Sequence, residues 1–324
     1  MVQVCVVSTT SPWWDVQMIQ ISVQGRMTDR QQWIDLVTTI EREGFHGLCV
    51  ADHPGSAASP FVAMAAAAAL TERITLGTCV INAGVWSPLA LATEVATLDV
   101  LSAGRCLLGV GAGHTPSEWS MIGSQIPSAG ERVDQMIDLV GAVAALLAGE
   151  AVTATSERFT LSEAQLTDHP SNRRVPLLVG GSGRRVLSFA ATTADVVGVA
   201  GLGRTLADGH SHEVDWSLGA LNSTFSAIAD SAIRADRNPK IEALVQHIEI
   251  TSDAERAAAQ IAEFVPGATP ADLLDAPFMW IGTTEEITSR IRRHAETWGI
   301  TRYVIRDSSM EPGVEILRSL RSAP

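Results

Sequence analysis

Gly47-Leu-Cys-Val-Ala-Asp52-His53-Pro54 is the stretch from which the 324-residue chain can be read outward. An apolar run that breaks into Asp-His-Pro is a buried strand delivering two titratable side chains to its carboxyl end. The residue before a proline is held extended, which narrows the aim of His53. In a barrel of alternating strands and helices, the carboxyl ends of the strands line the active-site mouth. Asp52 and His53 are therefore the first candidates for chemistry. The plain alternative is a loop-capping aspartate beside a solvated turn histidine.

The same unit recurs along the chain. Residues 2–7 form a β-branched run and read as the first strand. A helix follows over 28–44, with apolar Trp33, Ile34, Val37 and Ile40 on one face and Gly44 as its stop. Then come a strand at 47–51, a small-residue helix at 60–70, a strand at 74–80, the helix Pro88–Leu101 with proline in its first turn, and a strand at 105–110. The second half is less regular. It reads as a helix at 130–148, an extended excursion at 152–161 that suits a hairpin, strands at 175–179 and 195–200, and a glycine- and histidine-bearing loop at 201–218 over the site. A helix at 222–235, a strand at 241–250, a helix at 254–264, the helix Thr284–Trp298, a last strand at 303–305 and a helix at 313–320 complete it. About eight strands in α/β alternation, with no clear linker, predict one (β/α)8 TIM barrel over residues 1–324 with an extra hairpin and insertion loops at its C-terminal face.

Composition narrows the partners. The chain is 46% hydrophobic and only 18% charged, which suits a large core rather than disorder. Its net charge of −13 offers no basic stripe for nucleic acid or an anionic membrane. The start of the chain has no basic region ahead of an apolar one, and the Ala-rich segments are too short to span a bilayer, so the reading is cytoplasmic. Cys5, Cys49, Cys79 and Cys106 each fall in a separate predicted strand without a CxxC pair, and suit small buried hydrophobes in a reducing compartment. Lys240 is the only lysine.

Other motifs carry graded signals. Leu76-Gly-Thr-Cys-Val80-Ile-Asn82 puts a glycine inside a strand, as at a bulge or a close approach of backbone to ligand, though an ordinary strand end is the better reading of this string on its own. Gly109-Val-Gly-Ala-Gly-His114 invites a dinucleotide-binding reading but fails its spacing, and no helix is expected directly after it. It reads instead as a loop, including Gly111 and Gly113, on which a flat ligand can lie, with His114 and Glu118 beside it. Gly180-Gly181-Ser182-Gly183-Arg184-Arg185 joins a strand to a helix, where backbone N–H groups and arginines can hold a phosphate; a plain glycine turn is the alternative. His210-Ser-His212 lacks the carboxylate or cysteine company of a metal site, so no metal is expected. Asp168-His169-Pro170 repeats the Asp-His-Pro string after no apolar strand and reads as a surface turn. No Gly-x-Ser-x-Gly elbow is present.

Taken together, residues 47–53, 72–80, 92–105, 107–118 and 176–195 resemble, in order, the bacterial luciferase-like flavin and deazaflavin oxidoreductases. The nearest likeness is to their actinobacterial F420-dependent branch. That resemblance implies a flat ring in the barrel mouth on a bulge at Thr78, Cys79 and Val80, often with a non-proline cis peptide. It implies a cofactor phosphate on Gly180, Gly181, Ser182 and Gly183, with Asp52 contacting the deazaflavin and His53 serving as acid/base. His114 and Glu118 would finish the catalytic pocket, and Asn82, Gly111, Gly113, His114 and Arg184 would complete the cofactor's surroundings. One departure stands out. The sugar-phosphate dehydrogenases of that branch have a glutamate where this chain has His114, and their lysines have no counterpart, so a glucose-6-phosphate substrate is not carried over. The implied function is an F420-dependent oxidoreductase acting on a small molecule, as a homodimer. An FMN-dependent monooxygenase served by a partner reductase is the alternative. A non-catalytic cofactor carrier and a nicotinamide dehydrogenase stand further off.

Overall fold

A computed structural model describes residues 19–167, 174–203 and 212–322. Eight strands form a closed parallel ring: β1 (Gln20–Gln24), β2 (Gly47–Val50), β3 (Thr75–Thr78), β4 (Cys106–Gly111), β5 (Leu177–Gly180), β6 (Val196–Val199), β7 (Lys240–Leu244) and β8 (Ile300–Arg306). β3 pairs with β4 and β8 pairs back to β1, which leaves no open edge. A helix follows each strand: α1 (Arg30–Glu43), α2 (Pro60–Ala68), α3 (Pro88–Leu101), α4 (Ala129–Leu147), α5 (Arg184–Thr193), α6 (Leu218–Arg234), α7 (Thr284–Trp298) and α8 (Met310–Ser322). This is the expected (β/α)8 barrel. The expected hairpin is there too, as the antiparallel pair Val152–Thr155 and Thr160–Ala164.

Local chemistry explains the elements. α1 starts where the Asp29 carboxylate accepts the N–H groups of Gln31 and Gln32, buries Trp33, Val37 and Ile40, and stops at Gly44 with φ +78°. α7 opens on a reciprocal Thr283–Glu286 capping box and ends at left-handed Gly299. α2 and α3 differ, being apolar on more than their inner face: Val62, Val100 and Leu101 are all exposed. Two separate cores result. Ile21, Val37, Ile40, Ile305 and their neighbours fill the layer between strands and helices. A smaller cluster of Leu107, Leu178 and Val196, with Val80 against it, fills the lumen.

Three expectations change. The barrel's first strand is Gln20–Gln24, whereas residues 2–7, with Cys5, lie outside the described residues. Gln20, Ser22 and Gln24 occupy the lumen side of this strand while Ile21 and Val23 are buried in the outer core, so it reads as polar despite being central. The strand expected over 241–250 is two. β7 stays in the barrel, and the chain then leaves it so that His247–Ile250 pairs with Met279–Gly282 as a separate parallel pair. Between those two strands the helices Ala254–Ala262 and Pro270–Asp275 are inserted, the second of which went unforeseen. Cys49 and Cys106 are buried as expected, while Cys79 sits just past β3 and is half-buried. No helix among the described residues is long and apolar enough to cross a membrane.

Candidate active site

β2 ends where foreseen, and Asp52 and His53 follow it at the C-terminal mouth of the barrel. His53 Nδ1 lies 2.7 Å from Glu118 Oε1, with the Glu118 carboxyl almost wholly buried. Burial alone would raise the Glu118 pKa. The hydrogen bonds from His53 and Asn82 outweigh it and hold the carboxyl below its ordinary value. Glu118 is thus ionised and accepts a proton-bearing Nδ1, which leaves Nε2 of His53 as the nitrogen able to exchange a proton. The same hydrogen bond raises the His53 pKa above 6.5, against the opposing effect of burial. The other carboxylate oxygen, Glu118 Oε2, accepts the Asn82 side-chain N–H at 2.7 Å.

Asp52 is 5% exposed, and Oδ2 accepts the Trp86 indole N–H at 2.8 Å and the Asn82 backbone N–H at 3.3 Å. Burial raises its pKa despite these two bonds. Asn82 therefore links the two acids, its backbone to Asp52 and its side chain to Glu118. It is itself held by Gly84, whose N–H donates to Asn82 Oδ1 at 3.0 Å. Trp86 was not foreseen. It sits four residues beyond Asn82 with no spacing that sets it apart from a core tryptophan.

The bulge after β3 is present, and the Cys79–Val80 peptide is cis. Thr78 replaces the lost ladder there: its hydroxyl donates to the Gly109 carbonyl at 2.7 Å and accepts the Gly109 N–H at 2.8 Å. Gly109 and Gly111 lie in β4, and it is this bulge that lies against them. A Cβ on Gly109 would stand 1.9 Å from the Thr78 carbonyl oxygen, and one on Gly111 2.6 Å from the Val80 side chain. Gly113, at φ +72°, packs against the Asn82 side chain. The glycine run thus makes room for the Thr78–Val80 bulge and the Asn82 side chain. A short helix, Pro116–Met121, follows after all, and turns Glu118 and Trp119 inward.

At the end of β5, Gly180 rests against Val80, and the Gly181 N–H is taken by the Gly198 carbonyl. Ser182, Gly183 and Arg184 are exposed. α5 begins at Gly183 with no side-chain cap, and a Cβ on Gly183 would meet nothing within 4 Å. Uncapped N–H groups in open space form the kind of helix start that accepts an anion. Arg185 is engaged with Asp134 instead.

His114 completes a row of imidazoles, its ring centre 6.4 Å from that of His53 and 5.2 Å from that of His212. Burial and the charges of His212 and His53 lower the His114 pKa. Neighbouring imidazoles are therefore pushed in opposite directions. His210 and residues 168–170 lie outside the described residues. Lys240 opens β7, at the barrel end opposite the mouth. On the strand next to the one that delivers His53, Gln24 donates to the Cys79 carbonyl at 2.9 Å and accepts from Arg306. Neither residue was singled out beforehand; their only sequence signal is strand spacing.

Comparison with known proteins agrees with this architecture. A family model described as luciferase-like monooxygenase matches residues 17–302. The chain is 30% identical over 292 residues to limonene 1,2-monooxygenase of Rhodococcus erythropolis, covering 83% of this chain and 72% of that one. It is 30% identical to the F420-dependent glucose-6-phosphate dehydrogenase of Beutenbergia cavernae over 68% of this chain, which spans 63% of that enzyme's length. An F420-dependent secondary alcohol dehydrogenase, solved with an F420-acetone adduct, superposes with a TM-score of 0.73 at 19% identity, covering 94% of this chain and 98% of that one. The chain belongs to the luciferase-like monooxygenase family and is an oxidoreductase enzyme built on a (β/α)8 barrel.

Proposed function

We propose that this oxidoreductase uses the deazaflavin coenzyme F420 to move a hydride to or from a small organic molecule, with His53 giving or taking the accompanying proton. What supports the reading most is the His53–Glu118 pair at the barrel mouth. An imidazole whose Nδ1 is held by a buried carboxylate keeps one tautomer and one orientation, so Nε2 acts as a directed acid/base. The raised His53 and lowered His114 pKa values, on adjacent rings, are the divergent pair expected of acid/base partners.

The residues present fit the coenzyme. Val80 and the Cys79 peptide offer an apolar shelf for a flat ring, and the open, uncapped start of α5 at Ser182, Gly183 and Arg184 suits a phosphate. F420, when bound, supplies the ring carbon that carries the hydride. The chain's own residues do the rest. Asp52, fixed by Trp86 and Asn82, orients the ring. Glu118 holds the His53 tautomer, and His114 closes the pocket against water. Lys240 lies at the far end of the barrel, away from the mouth, which supports a substrate other than the sugar phosphates bound through lysines in that branch.

The test is His53→Ala in the F420-loaded enzyme. Binding should persist while turnover falls about 10²–10⁴-fold; normal binding with undiminished turnover rejects the role of His53. A second reading, an FMN-dependent monooxygenase served by a reductase, has the limonene 1,2-monooxygenase relative in its favour. Titrating the protein with each coenzyme separates the two, since tighter FMN binding with oxygen consumption favours the second. The apolar outer faces of α2 and α3, with Val62 and Leu101 exposed, support a homodimer, read by sedimentation as twice 34.4 kDa.

A further inference from the structure

Arg302 and Arg306 stand four residues apart on β8 and both project into the lumen. Arg302 is 5% exposed, and its Nε donates to Glu242 Oε2 at 2.9 Å. Its Nη1 donates to Gln20 Oε1 at 3.3 Å and lies 3.2 Å from His46 Nε2. The charge is fully answered from within the protein.

Four residues further along each strand direction, the arrangement repeats with one substitution. Gln20 of β1 is succeeded by Gln24, and Arg306 Nη1 donates to Gln24 Oε1. Glu242 of β7 is succeeded by Gln246, whose Oε1 accepts from Arg306 Nη2 at 3.2 Å. Where the lower arginine meets a carboxylate, the upper one meets only carboxamides, and among the described residues no carboxylate forms an ion pair with Arg306. Both glutamines are themselves pinned, Gln24 Nε2 donating to the Cys79 carbonyl at 2.9 Å and Gln246 Nε2 to the Ala200 carbonyl at 3.0 Å. A guanidinium has five N–H groups, of which the described residues take two here, leaving Nε–H and one N–H on each terminal nitrogen, two of them side by side as a fork. Such a fork, rigidly held and unneutralised, matches an oxyanion in two-pronged geometry. Through Gln24 it is tied to the Cys79 carbonyl beside Val80, and its charge reaches His53, which lies one strand further round the same side of the mouth.

We propose that Arg306, held by Gln24 and Gln246, is an anion-binding group of the mouth that takes the carboxylate, or a comparably compact oxyanion, of the molecule reacting there. The inference rests on the reading of this mouth as the redox site and adds the chemical class of its ligand. The oxyanion belongs either to the substrate or to the oxygen-bearing edge of the coenzyme ring.

The test uses three proteins, wild type, Arg306→Gln and Gln246→Glu. The last supplies Arg306 with the internal carboxylate that Arg302 already has, and it removes no packing. Each is titrated calorimetrically with sodium acetate, alone and after loading with F420, and separately with F420, at constant ionic strength. Acetate binding to wild type that weakens about tenfold or more in both variants, with unchanged circular dichroism, supports the proposal. A substrate oxyanion is indicated if F420 affinity is the same in all three and acetate still binds the loaded protein. The ring edge is indicated if F420 affinity falls in both variants and acetate displaces the coenzyme. Acetate and F420 each behaving identically in all three proteins overturns it, leaving Arg306 a tie between β1, β7 and β8. Should wild type not bind F420 while acetate still depends on Arg306, the coenzyme assignment fails and the anion site stands.

Discussion

The two halves of the barrel lumen are drawn from the same strands, two to four residues apart, yet they are finished differently. In the lower half Leu107, Leu178 and Val196 fill space and Arg302, Glu242, Gln20 and His46 satisfy one another. In the upper half Gly109, Gly111, Gly180 and Gly198 replace bulk, Val80 forms a shelf, and Arg306 is left with two amides. The lower half is a closed account of charge and volume. The upper half gives the place of several side chains to the bulge at Thr78–Val80, and it gives Arg306 no carboxylate among the described residues. Function here is located by where a repeating construction stops completing itself.

Glu242→Gln should break this comparison most severely. It strips a buried guanidinium of its partner, at a cost of about 3–5 kcal/mol in urea unfolding. His46 should not take over in the same variant. Burial, with the Arg302 charge, presses its pKa to about 3, and so it stays neutral and cannot substitute for the lost carboxylate. Gly109→Ala tests the upper layer sterically. The added methyl meets the Thr78 carbonyl rather than a pliable side chain, so about 1–3 kcal/mol or more is expected from the same measurement.

Glu118→Gln probes the charge of the mouth and should cost about 1 kcal/mol or less, because His53 is 42% exposed and solvent screens the pair. The sign follows from both shifts. Raised His53 contributes stability that is complete below its ordinary 6.5 and disappears as pH climbs through the folded value. Lowered Glu118 contributes stability complete above its ordinary 4.5 and lost as pH drops through its folded value. The difference between wild type and variant, followed by thermal unfolding against pH, should be greatest between those two values and shrink on both sides. A flat difference would mean that the two groups do not titrate together. The smallest effect belongs to Gln246→Glu, whose stability should stay within about 0.5 kcal/mol of wild type, since its new ion pair lies at a solvated mouth. A large gain there would mark the upper arginine as a structural group awaiting its partner.

Much of this was visible in residue order. Seven barrel strands, the hairpin, the Asp52-His53 step and the glycine turn before α5 follow from apolar runs broken by proline or glycine, because those residues act through their own backbone. β1 was passed over since its lumen side is Gln20, Ser22 and Gln24. A polar central strand looks like a surface one until the barrel closes around it. The split of 241–250 into two strands was hidden because Leu244 and Val245 continue the apolar pattern across the point where the chain changes partners.

The sequence by itself determined the alternation, the closed parallel barrel as its solution, and the short list of side chains brought to the mouth. Only the tertiary structure decided their pairing: that Glu118 holds His53, that Asn82 joins two acids, and that Gln246 stands where a second Glu242 would have been. The reason is physical. Strand and helix periods are set by neighbours along the chain, whereas charge compensation depends on residues 65 apart for His53 and Glu118 and 60 apart for Arg302 and Glu242, which meet only when the ring is shut.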